Sequence, residues 1–75
     1  MARHLPTPAV EKGTVTAINA DGFGFIAPDR HGGEIWIRPR SLDGQTALHE
    51  GQRVQYTLAV GTLGIEAAQV RPLDA

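Results

Sequence analysis

The stretch "ADGFGFIAPD", residues 20–29, decides how this chain folds. It holds two of the four aromatic residues, Phe23 and Phe25, with only a glycine between them. Read as a strand, it puts both phenylalanines on one face and Gly24 and Ile26 on the other, because side chains alternate along an extended chain. Only one of those faces can be core. Asp21-Gly22 is a turn signal before the strand and Pro28 ends it, so a strand is expected over Phe23 to Ala27.

Working outward, the neighbouring segments repeat the same pattern. "EIWIR" alternates without fault, with Ile35 and Ile37 on one face and Glu34, Trp36 and Arg38 on the other. "RVQYTLAV" sets Val54, Tyr56, Leu58 and Val60 on a single face. Before the phenylalanines, Val10 to Asn19 is β-branched and interrupted at Gly13, which predicts a first strand that coils or bulges there. After "GTLG" the chain turns back into Ile65 to Val70, where the apolar parity slips between Ala67 and Ala68 and predicts a bulge. "PRSLDGQTALHEGQ" is the long connection, with one helical turn expected at Arg40 to Leu42. No helical periodicity competes over a useful length. Residues 1–9 read as a flexible leader, with Pro6 and Pro8 blocking regular structure, and residues 10–73 as the one domain.

Composition narrows the function classes. The chain has 75 residues, no cysteine, 41% apolar and 20% charged residues, and a net charge of -1. A chain this short buries roughly 60% of its extended surface, enough for a compact core and too little for a deep catalytic cleft. Without cysteine there is neither a disulfide framework nor a thiolate zinc site. No apolar run approaches the ~18 residues of a membrane helix and the leader lacks a signal-like apolar stretch, so a cytoplasmic protein is expected. The near-neutral charge argues against a general duplex binder, which neutralises many phosphates. A single-strand binder that works by stacking needs far less positive charge.

Five short strands cannot leave two flat faces wet, so the expected fold is all-β, a small five-stranded antiparallel barrel of the OB type. Val15, Ile26, Ile35, Ile37, Val54, Tyr56 and Leu58 are its expected interior. The alternation then forces Phe23, Phe25 and Trp36 outward on neighbouring strands. Exposing large rings forfeits roughly 1.5–3 kcal/mol of burial apiece, and a cluster of them on one sheet face marks a binding surface. The opposite parity would expose three isoleucines and bury Arg38. The rings read as a stacking platform for unpaired bases, with Arg38 beside them for phosphate and with Lys12 and Arg40 at its edge.

"GTVTAINADGFGFIAPD", "EIWIR" and "EGQRVQYTL" together resemble a bacterial cold-shock domain, over about Lys12 to Leu73. "GFGFI" and "IWIR" are similar to that family's two ribonucleoprotein-type motifs. The resemblance implies a five-stranded OB-type barrel that binds single-stranded DNA or RNA. The departures from the pattern lie in the platform. Ala17 and Ile18 stand where the family has tryptophan and phenylalanine, the lysine before "GFGF" is missing, Arg38 and Pro39 replace a histidine and an aromatic, and the long loop lacks its phenylalanine. A shorter and weaker site is therefore expected.

Other chemistry is thin. His4, His31 and His49 have no partner at metal-ligand spacing, so no metal or cofactor is expected. Ser41 has no nucleophile-elbow setting, and Asp21, Asp29 and Asp43 read as turn formers. The expected function is a binding module without catalysis, its partner single-stranded RNA or DNA. The alternative is a small barrel whose remaining aromatic patch docks another protein. A monomer is expected, with pairing of exposed strand edges as the route to a dimer.

Overall fold

A computed structural model of the chain describes residues 10–42, 47–61 and 64–73. Five strands, β1 (Glu11–Ile18), β2 (Gly24–Pro28), β3 (Ile35–Ile37), β4 (Arg53–Gly61) and β5 (Gly64–Pro72), follow one another. They close into a barrel in the order β1-β2-β3-β5-β4. A 3-10 turn over Pro39–Ser41 leads out of β3, one residue earlier than the expected turn. Four of the strand pairs are antiparallel, while β3 and β5 meet in parallel through Trp36 and Glu66. The expected wholly antiparallel barrel is thus a mixed one, because closure brings β5 beside β3 running in the same direction.

The alternation read from the sequence selects the core. Val15, Ile26, Ile37, Val54 and Tyr56 are buried as expected, joined by Ala67 and Val70. Ile18, Ile35, Leu42 and Leu48 pack against that cluster while remaining partly exposed. Ile35, the first residue of β3, is half-buried rather than buried: it pairs with Ile26 of β2, while β5 meets β3 at Trp36. Leu58 is a correction: it is 43% exposed. Its side is right, but β1 covers β4 only from Arg53 to Tyr56, and beyond that, among the described residues, β5 is the only strand beside β4. Val60 and Ile65, facing each other farther along the hairpin, are exposed for the same reason.

Two bulges shape the barrel. The one in β1 falls at Thr16, between Val15, opposite Ile26, and Ala17, opposite Phe25. It does not fall at Gly13, which pairs in regular register with Pro28 and Val54. Glycine is required at 13 for close approach, since a Cβ there would stand 2.6 Å from the Ala27 carbonyl oxygen. The second bulge lies in β5, where three steps from Ala68 to Arg71 oppose two steps from Thr57 to Gln55. It follows the parity slip at Ala67 and Ala68 and holds Gln69 at φ 52°.

Candidate nucleic-acid interface

The β1 bulge builds the outer face. An unbroken alternation from buried Val15 would turn Ala17 inward; the extra residue turns it outward instead, beside Phe25. Thr16 is held in place by its hydroxyl, which donates to the Glu34 carboxylate at 2.7 Å. Register then lines up one row across the sheet: Ala17, Phe25, Trp36 and Glu66, on β1, β2, β3 and β5. The Phe25 and Trp36 rings stand 4.7 Å apart between centroids and tilted by 43°, a separation at which aromatic pairs attract. That contact leaves Phe25 half-buried, whereas Phe23 and Trp36 are 43% and 38% exposed.

The loop between β1 and β2 fixes Phe23. Asn19 Oδ1 accepts from the backbone N–H groups of Asp21 and Phe23, at 2.9 and 3.1 Å. The Asn19 N–H donates to the Phe23 carbonyl at 2.9 Å, so the turn is closed from both sides. The side chain that organises this turn is therefore Asn19 rather than the expected Asp21. A position two residues before an Asp-Gly turn, able to accept from amides ahead of it, was the available signal.

Between the rings lies an open hollow of about 330 Å³, lined by Phe23, Phe25, Trp36 and Ala17, with Asn19 and Glu50 as its polar groups. Glu50 reaches it because the segment before β4 is tied to β1: the Gly51 N–H donates to the Val15 carbonyl at 2.8 Å, and the Val15 N–H to the Gln52 carbonyl at 2.9 Å. The absence of a large side chain at Ala17 leaves this volume open.

The expected cations are distributed differently. Arg38 is bound by Glu66, Nε to Oε2 at 3.1 Å, with only 21% of its side chain exposed. The Glu66 carboxylate lies against Gly61, in the space a Cβ there would need. Ser41, buried, accepts the Arg38 N–H at 2.9 Å and returns its own N–H to the Arg38 carbonyl at 2.8 Å, a structural role for the only serine. Lys12 is exposed at the opposite end of β1 from Ala17, bordering a second hollow of about 270 Å³ with Arg30 and Asp29. The side chain of Arg40 lies outside the described residues, as do Asp43 and His4. Asp29 is an ion-pair partner rather than a turn former: Arg53 donates to both its oxygens at 2.7 Å. That bonding, with the guanidinium charge, holds the Asp29 carboxyl below its ordinary pKa. Among the described residues no group of three or more metal-ligating side chains comes together, and no helix is long and apolar enough to cross a membrane.

Comparison with known proteins agrees with this geometry. Residues 11–73 match the model of the 'Cold-shock' DNA-binding domain. The chain belongs to the cold-shock domain family. It is 43% identical over 54 residues to the cold shock-like protein CspA of Vibrio cholerae, covering 69% of this chain and 77% of that protein. It is 38% identical over 68 residues to the cold shock-like protein CspD of Escherichia coli K12, covering 87% and 92%. The major cold shock protein CspA of Pseudomonas aeruginosa is 38% identical over 64 residues, covering 81% and 91%. The family is a nucleic-acid-binding one, and the all-β barrel is the fold expected of it.

Proposed function

We propose that this protein binds single-stranded RNA or DNA by stacking unpaired bases on Phe23, Phe25 and Trp36, and catalyses no reaction. The row of outward rings beside an open hollow is the observation that supports this reading. A flat ring accepts any base face, at roughly 1–3 kcal/mol per base, so two or three rings give useful affinity without a basic surface. The electrostatics fit a stacking-led mode. Arg38 is engaged by Glu66, and Glu34 and Glu50 stand near the rings, so few phosphates would be neutralised. Those same carboxylates are what favours the second reading, docking of a basic protein segment on the aromatic patch.

Titration of Trp36 fluorescence with an unstructured seven-nucleotide strand and with the matching duplex tests the proposal. Quenching that saturates with the single strand, with little response to duplex and a shallow salt slope, is the expected result. A preference for duplex, or a response only to basic peptides, would overturn it.

A further inference from the structure

Stacking alone discriminates poorly among bases, but the hollow beside the rings has polar groups at its edge. We propose that it reads one base, and that Glu50 and Asn19 make that base guanine. The inference rests on the stacking function proposed above and adds base choice to it.

The hollow is at the small end of the ~300–1,000 Å³ typical of ligand sites, which suits a single base against the Phe25 and Trp36 faces. Its one ionisable lining group is Glu50, and an ionised carboxylate can only accept hydrogen bonds, through two oxygens. Its other polar side chain is Asn19, whose Oδ1 is already occupied by two backbone amides. The remaining hydrogen-bonding capacity of Asn19 is therefore mainly that of its NH₂ donor. The hollow thus presents a double acceptor and a donor beside aromatic walls.

Guanine matches this set along its Watson–Crick edge. Its N1–H and N2 amino group are adjacent donors that a carboxylate takes in parallel, and its O6 accepts from an amide NH₂. Adenine offers one amino donor next to the N1 lone pair, which a carboxylate repels. Thymine and uracil offer a single N–H between two carbonyl oxygens, each facing the carboxylate with like partial charge. Cytosine offers an amino donor next to the N3 lone pair. Only guanine gives Glu50 two donors side by side. Glu50 is accordingly a specificity-determining residue, and Ala17 contributes by leaving the space.

A bidentate base contact at an open site should discriminate against the wrong base roughly fivefold to tenfold. The test compares oligothymidine heptamers carrying a central guanosine, inosine, adenosine or thymidine, titrated against Trp36 fluorescence for the wild type and for Glu50→Gln. Adenosine controls for purine stacking area, and inosine removes only the N2 amino donor. In the wild type, guanosine should bind about fivefold or more tighter than adenosine and thymidine, with inosine between. In Glu50→Gln the guanosine arm should weaken and the thymidine arm strengthen, so that the ratio collapses toward one. Equal wild-type affinities for guanosine and adenosine, or a ratio untouched by Glu50→Gln, would overturn the inference while leaving stacking in place. A failure of every strand to bind would overturn stacking itself, and guanine reading with it.

Discussion

Arg38 carries a charge whose use depends on a neighbour that local sequence does not reveal. The alternation of "EIWIR" correctly puts it outward with Trp36, but its partner Glu66 lies on β5 and meets β3 only through the parallel closure of the barrel. The side of each ring was legible because strand parity is local; the engagement of the arginine was not, because it depends on a long-range register. Glu66→Gln should release Arg38 toward phosphate. Affinity for a single strand should rise, and the salt slope should steepen by roughly 0.7 for one added phosphate contact. Titrations at several salt concentrations measure this; an unchanged slope would show that Arg38 stays in place without the carboxylate. Ala17→Trp asks the complementary question. A ring at 17 should add about 1–3 kcal/mol of stacking and, by filling the hollow, erase any preference for guanosine.

At the level of elements, the answer to why glycine separates the two phenylalanines lies in β1. A Cβ at position 24 would collide with the Ala17 carbonyl oxygen, which the register shift at Thr16 brings over β2. Gly24 thus permits the close approach that accompanies the outward turn of Ala17. Gly24→Ala should destabilise the domain by about 1–3 kcal/mol or more, since neither backbone can yield without breaking the β1–β2 ladder. Chemical denaturation measures it, and near-wild-type stability would contradict this explanation. The β5 bulge makes an opposite expectation. Gln69 is exposed and sits at φ 52°, where a side chain costs about 1 kcal/mol that glycine avoids. Gln69→Gly should therefore raise the thermal midpoint by about 4–8 °C per kcal/mol recovered. The sequence carried the β5 bulge in its broken parity, whereas the β1 bulge was invisible: Thr16 and Ala17 do not distinguish in from out by hydrophobicity, and the visible interruption of that segment is Gly13.

For the whole molecule, stability should decline at both ends of the pH range, for reasons at different places. Asp29 has a depressed pKa, so the stability it gives is present above the ordinary aspartate value near ~3.9 and is lost as pH falls through its folded value. Asp29→Asn should flatten the acid limb of the midpoint–pH curve. Tyr56 has its pKa raised, first by burial and then by the charges of Glu11 and Asp29. Its contribution is present below the ordinary tyrosine value near ~10 and is lost as pH rises through the folded value, so Tyr56→Phe should flatten the alkaline limb. Stacking depends on the outward rings, and Phe23 is the one whose removal disturbs the barrel least. It is 43% exposed, and its fixing contacts with Asn19 run through its backbone, which alanine keeps. The decisive measurement is the affinity of Phe23→Ala for an unstructured single strand, taken with its thermal midpoint. An unchanged midpoint with affinity reduced by about 1–3 kcal/mol, roughly 5-fold to 150-fold, is the expected result; a folded variant that binds as tightly as the wild type would contradict it.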